Sequence, residues 1–265
     1  MRLSISNIGW TKENDLTVYE MMKNKGYEGL EIAPTRIFPD NPYDRLEEAN
    51  AWAKELKAEN GFVIPSMQSI WYGRSEKLFG TDEERKALAD YTKKAIDFAE
   101  SIGCRNLVFG CPRNRNMPEG ADEKIAVEFF RAMGEYAAEH NTVIGMEANP
   151  PIYNTNYIND TKSALTLIET VGSHGFKLNL DVGTMIENGE DISLLKGREH
   201  LINHVHISEP GLKPIKARTL HKDLARLLKS SMYSGYVSIE IGRQDNISSI
   251  EKMMNYVRGV FNDSY

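Results

Sequence analysis

Four ionisable side chains, Glu147, Asp181, His206 and Glu240, stand at the ends of short apolar runs in the second half of the chain. The runs read TVIGME at 142–147, FKLNLD at 176–181, NHVHIS at 203–208 and YVSIEI at 236–241. A charge buried in such a run is costly without a partner. Three carboxylates brought together repel one another unless a cation joins them. One imidazole nitrogen with several carboxylate oxygens suits Mn²⁺, Mg²⁺ or Co²⁺, with Mn²⁺ the first choice and Zn²⁺ or Fe²⁺ also compatible. Taken singly, each residue has a plainer reading. Asp181 ahead of Val182, Gly183 and Thr184 also fits a helix N-cap, and His206 also fits a satisfied core histidine. It is their recurrence at four successive run ends that points to a divalent-metal site.

Such a site needs elements that bring the four ends together. Apolar runs recur at 3–8, 29–33, 62–69, 106–110, 142–147, 176–181, 203–208 and 236–241. Amphipathic helical patterns separate them, as at 85–102, 126–140 and 248–261, with apolar residues at helical spacing. Thr81 with Glu84 reads as a capping box ahead of one helix, and Gly103 as the residue that ends it. Eight strands alternating with helices predict α/β architecture, a single (β/α)8 TIM barrel over 1–265. The alternative, a doubly wound open sheet, usually carries a glycine-rich phosphate loop after its first strand. The run SNIGWT at 6–11 has neither G-x-G-x-x-G nor a Walker pattern. In a barrel, polar residues at strand C-termini converge on one mouth.

Bulk properties narrow the function. The chain has 265 residues, 41% hydrophobic and 26% charged, as in globular enzymes. Its net charge of −6 argues against a polyanion-binding role, so nucleic acid is not an expected partner. Cys104 and Cys111 form no C-x-x-C pair or disulfide framework, which fits a reduced, cytoplasmic protein. No stretch of about 20 apolar residues occurs, so no membrane association is expected.

Other residues are candidates to line the mouth. Trp10 follows the first strand, and Gln68, Trp71 and Tyr72 follow the third; such residues can stack on and hydrogen-bond a sugar. Arg113 and Arg115 follow the fourth strand, and Lys213 and Arg218 the seventh. If two or more of these cations point inward, the substrate is anionic. Glu31 fits either an internal hydrogen bond or substrate contact. His204 shares a strand face with His206, one layer deeper, and reads as structural.

At this point the chain resembles the xylose-isomerase-like barrel superfamily, in particular its sugar phosphate isomerase/epimerase branch. The resemblance rests on GLEI at 29–32, MEAN at 146–149, LDVG at 180–183, HVHISE at 204–209 and GYVSIE at 235–240. In ketose 3-epimerases of this group, the positions matching Glu147, Asp181, His206 and Glu240 hold the metal. Those matching Glu147 and Glu240 also form the catalytic pair. Glu209 corresponds to an acidic residue of the epimerase loop, and Lys213 falls near a substrate-binding arginine. Two positions depart from that pattern. Thr184 stands where the epimerases have a histidine that touches substrate, and NPPIY at 149–153 lacks their acidic residue.

The implied activity is metal-dependent isomerisation or epimerisation of a small sugar, sugar phosphate or other sugar derivative. One glutamate removes a proton next to a carbonyl, the metal stabilises the enediolate, and the other glutamate returns the proton. The same intermediate can lose a β-hydroxyl, so an inosose-dehydratase-like or keto-glycoside lyase is the alternative. A non-catalytic sugar-binding or partner subunit is a third reading. An abasic-site endonuclease shares the fold, but it uses more histidines than the six present here. The resemblance also implies a homo-oligomer.

Overall fold

A computed structural model describes residues 1–262. Seven parallel strands form one sheet: β1 (Arg2–Ser6), β2 (Gly29–Glu31), β3 (Leu107–Phe109), β4 (Ile144–Met146), β5 (Phe176–Asp181), β6 (Ile202–Ile207) and β7 (Tyr236–Ile239). Their order is β2-β1-β7-β6-β5-β4-β3. The eighth stave is the 62–69 segment, which bridges both edges of that sheet. Val63 pairs with Gly29, and Met67 pairs with Ile32 and Leu107. The Gln68 amide donates to the Ile32 carbonyl (2.9 Å), the Met67 amide to that of Asn106 (2.9 Å), and the Val108 amide to that of Met67 (2.8 Å). The expected TIM barrel is therefore present, with one correction. The third run is not a continuous strand, because Pro65 has no N–H to donate and interrupts the ladder.

The helices are α1 (Asp15–Asn24), α2 (Pro34–Ile37), α3 (Leu46–Asn60), α4 (Asp82–Ser101), α5 (Lys124–Glu139), α6 (Thr161–Val171), α7 (Val182–Asn188), α8 (Thr219–Ser230) and α9 (Ile247–Phe261). The Thr81 hydroxyl and Glu84 carboxylate cap α4 reciprocally, so this helix starts three residues before the expected 85. It ends before Gly103, whose φ of 70° is left-handed and favours glycine. Among the described residues, no helix is long and apolar enough to cross a membrane. Both cysteines are free thiols.

Outward-facing strand residues such as Leu3, Leu30, Phe109, Met146, Leu180 and Val237 are buried against the helices. Each such burial stabilises the fold by roughly 1.5–3 kcal/mol. The inward positions have a different composition. By strand alternation they are Ser4 and Ser6, Gly29 and Glu31, Ser66 and Gln68, Asn106 and Val108, Gly145 and Glu147, Asn179 and Asp181, His204 and His206, and Ser238 and Glu240. Branched aliphatics usually fill this space; here Val108 is the aliphatic among mainly polar or glycine positions. The Asn106 amide nitrogen donates to Ser66 Oγ (3.0 Å) and Asn179 Oδ1 (3.2 Å). Gly145 leaves room for this layer, since a Cβ there would lie 2.6 Å from Asn106 Oδ1.

Candidate metal and acid–base site

Glu147 and Glu240 lie one residue beyond β4 and β7. Their backbones stay in the ladder: the Glu147 amide donates to the Phe109 carbonyl and the Glu240 amide to that of Ile207, each at 3.1 Å. Asp181 ends β5 and pairs in register with His206 of β6. The barrel thus carries all four side chains to its C-terminal end. Glu147, Asp181 and Glu240 line one cavity of about 190 Å³, together with Gln68, Asn149, Tyr153, Ser208 and Glu209.

Three of the four form a tight group. One ligand atom each from Glu147, His206 and Glu240 lie within 4.8 Å of one another, all buried. His206 Nδ1 is 3.0 Å from Glu147 Oε1 and 3.2 Å from Glu240 Oε2. Asp181 stands outside this trio and caps α7. Its Oδ2 accepts from the Thr184 amide at 2.9 Å, and its Oδ1 accepts from the Ser208 hydroxyl. The N-cap reading of Asp181 and its place at the mouth therefore hold together. The Thr184 hydroxyl lies within reach of Asp181 Oδ2 (2.8 Å) and the Ala148 carbonyl (2.7 Å). It braces the aspartate at the position where a histidine could have reached into the mouth.

Each glutamate presents one oxygen to the imidazole and the other to an amide. Glu147 Oε1 faces His206 and accepts from the Asn179 amide (2.8 Å), while its Oε2 accepts from Asn149 (3.2 Å). Glu240 Oε2 faces His206, and its Oε1 accepts from Gln68 (3.1 Å). The Ser6 hydroxyl in turn donates to Gln68 Oε1 at 2.7 Å. On the far side of the imidazole, His206 Nε2 is 3.0 Å from Glu31 Oε2, and His204 Nε2 is 2.9 Å from the same oxygen. Glu31 is therefore an internal partner of the two histidines. A carboxylate behind a histidine fixes its tautomer and turns the other nitrogen outward, the usual support for a metal ligand.

The charges are unbalanced. Burial and the nearby Glu240 raise the Glu147 carboxyl above its ordinary pKa, although the His206 contact pulls it down. Burial and the charge of Glu147 raise Asp181 likewise. Burial opposes a charged imidazole, yet Glu31, Glu240 and Glu147 together hold His206 well above its ordinary value. No lysine or arginine pairs with Glu147, Asp181 or Glu240 among the described residues. Two carboxylates, one Nδ1 and a surplus of buried negative charge fit a divalent cation.

The remaining candidates divide. Gln68 and Glu209 line the cavity. The Glu209 carboxylate is held by Arg218, whose Nε lies 2.7 Å away, and by the Lys216 amide at 3.1 Å. Against burial, these donors keep it below its usual range. Trp10 does not line the cavity; its indole N–H donates to Asp15 Oδ1 (2.7 Å) beside α1. Trp71 donates to Thr92 Oγ1 (2.8 Å) and packs edge-on against Phe109; it does not line the mouth cavity but lines a neighbouring one that shares Ser69, Cys111 and Pro112 with it. Arg113 and Lys213 are exposed and outside the lining. Arg115 is fully buried, but protein acceptors occupy it: the carbonyls of Glu147 (2.9 Å) and Ile158 (3.2 Å) and the Asn149 side chain (3.0 Å). No lysine or arginine lines the mouth cavity itself; Arg113 lines the neighbouring cavity that shares Ser69, Cys111 and Pro112 with it. Asn149, Asn179, Tyr153 and Ser208 join the site without having been singled out. Asn179 was detectable, because it stands two residues before Asp181 on the same strand face.

A family model for the xylose isomerase-like TIM barrel matches residues 20–259. The chain belongs to this family. No curated protein matches it in sequence. The xylose isomerase-like architecture recurs in solved structures of low identity. A 3-keto-D-glucoside 4-epimerase from E. coli is 20% identical, with a TM-score of 0.77 over 97% of this chain and 99% of that one. A D-psicose 3-epimerase is 16% identical, with a TM-score of 0.78 over 98% and 99%. A probable 3-DHS dehydratase from Bacillus anthracis is 17% identical, with a TM-score of 0.69 over 97% and 98%. At these identities the likeness establishes the fold.

Proposed function

We propose that the protein is a divalent-metal-dependent isomerase or epimerase of a sugar or sugar derivative. The observation that carries this reading is the mirrored pair of glutamates. Each turns one oxygen to His206 Nδ1 and keeps the other on a side-chain amide. A bound Mn²⁺ or similar ion supplies Lewis acidity that acidifies the C–H beside a substrate carbonyl. Glu147 Oε1, Glu240 Oε2 and His206 Nδ1 would hold the ion, with Asp181 as a further ligand. Glu147 Oε2 and Glu240 Oε1 are left to exchange protons with substrate carbon, oriented by Asn149 and Gln68.

The glutamates come from β4 and β7, on different sides of the mouth, so a carbon between them is approached from two directions. Removal by one and return by the other inverts that carbon. Gly110 keeps space beside the Glu147 oxygen, since a Cβ there would lie 2.9 Å from Oε2. Thr184 and the Asn149 region differ from the ketose 3-epimerase pattern, which favours a sugar derivative over a free ketohexose.

The test is metal content of the purified protein by plasma mass spectrometry, followed by incubation with ketoses and keto-sugars in D₂O. About one transition-metal ion or Mg²⁺ per chain, with deuterium appearing at a carbon next to the carbonyl, is the expected result. Irreversible loss of water would transfer the site to the lyase class, for which the similarity to a dehydratase fold is the support. A protein that takes up no Mn²⁺ or Co²⁺ would end the proton-transfer reading.

A further inference from the structure

The opposite end of the barrel, where the strands begin, holds a second cavity of about 460 Å³. Small-molecule sites span roughly 300–1,000 Å³. Arg2, Arg105 and Lys177 stand around this cavity, and no carboxylate lines it. None of the three forms an ion pair among the described residues. In a chain of net charge −6, three converging unpaired cations are a local reversal of sign. As at the mouth, with signs reversed, like charges drawn to one concavity are relieved by an ion of opposite sign.

The cations are placed rather than loose. Arg2 lies over the Tyr236 ring, 4.3 Å from its centroid, and donates Nε–H to the Ser234 carbonyl at 3.0 Å. Arg105 uses one nitrogen on the Asn141 carbonyl (2.8 Å), which leaves most of its fork unused. Lys177, on β5, is half-buried and lines the same cavity. Two buried polar side chains, Asn106 and His204, 1% and 2% exposed, form the floor. Tyr233 and Tyr236 supply an apolar flank.

We propose that this basal cavity binds a phosphoryl group, free or carried by a small metabolite. Guanidinium forks and a lysine point charge match phosphate oxygens, and the tyrosine flank suits the rest of an ester. The cavity opens at the end opposite the mouth, and its floor residue His204 shares Glu31 Oε2 with His206.

The experiment is calorimetric titration of the full chain with inorganic phosphate and with glucose 6-phosphate, at fixed ionic strength. Glu240→Gln and the double variant Arg105→Gln, Lys177→Gln are run alongside. Saturable binding near one per chain is expected, preserved in Glu240→Gln and weakened at least about tenfold in the double variant, the size expected for losing charged hydrogen bonds. Binding of inorganic phosphate points to the free ion, and markedly tighter binding of the ester points to a metabolite. The proposal falls if neither ligand saturates, if the double variant binds as well as the parent, or if Glu240→Gln abolishes binding and so moves it to the mouth. Matching thermal melts of parent and double variant establish that any loss is local.

Discussion

The two halves of the barrel contribute different chemistry to the same mouth. The later half, β4 to β7, supplies every member of the acidic group and the imidazole: Glu147, Asp181, His206 and Glu240. The earlier half supplies what holds them: Ser6 on Gln68, Gln68 on Glu240, and Glu31 on His206. Strand length does not follow this division: β5 and β6 have six residues each, but β4, which leads to Glu147, has three and β1 has five.

This division predicts a gradient of effects. The largest belongs to the later half: Glu147→Gln and Glu240→Gln should each lower kcat by about 10²–10⁴-fold, the usual contribution of a positioned acid or base. Turnover within threefold of the parent in either variant would remove that glutamate from the pair.

The histidine part of acid sensitivity should also be a later-half property, since no histidine precedes His140. His221, on α8, is buried with Nδ1 2.9 Å from the Tyr256 hydroxyl. Burial lowers its pKa from the ordinary 6.5 to about 4. Between these values the unfolded chain binds a proton that the folded chain refuses. The stability is fully present above pH 6.5 and is lost as pH falls toward 4, by on the order of 3 kcal/mol. Urea midpoints at pH 7 and pH 4.5 measure this, and His221→Gln should flatten the difference. An unchanged pH dependence in that variant would refute the assignment.

Next comes the earlier half. Glu31→Gln should weaken Mn²⁺ binding by roughly 10–100-fold, as for other carboxylates behind a ligating histidine. Parent-like metal affinity would mean that Glu31 only fills the barrel. The smallest effect should come from Trp71→Phe, which removes the indole donor to Thr92. About 1 kcal/mol of stability should go, with KM unchanged. A raised KM would return Trp71 to the substrate wall.

The same division governs what can be read from sequence. The later motifs are legible because a charge interrupts an apolar run, and strand alternation then assigns its direction. The barrel itself is legible from eight such runs, including the one that Pro65 breaks. Side-chain direction beyond a strand end is not legible, because it depends on turn geometry. After β1, a 3-10 turn at Asn7–Gly9 carries Trp10 toward Asp15 and away from the mouth. After β3, Cys111 adopts a left-handed φ of 43° ahead of another turn at Pro112–Asn114. Arg115 is then turned inward and Arg113 outward. Composition alone treats these two arginines as equivalent. Asp181 illustrates a different difficulty: capping and mouth position looked like rival readings, whereas one carboxylate serves both.

The broken stave at 62–69 has a dynamic consequence. Proline deprives it of a ladder bond, so its amides belong to the less cooperative part of the sheet, where local opening requires less than global unfolding. Their hydrogen exchange should outpace that of β5 and β6. Gln68 rides on this stave, and its amide is what holds Glu240 Oε1. Each local opening therefore frees Glu240 Oε1 while Glu147, braced from the β4 and β5 side by Asn149 and Asn179, stays in place. The interrupted stave and the proposed acid–base pair are linked through Gln68, so fluctuations of the one are transmitted unequally to the two members of the other.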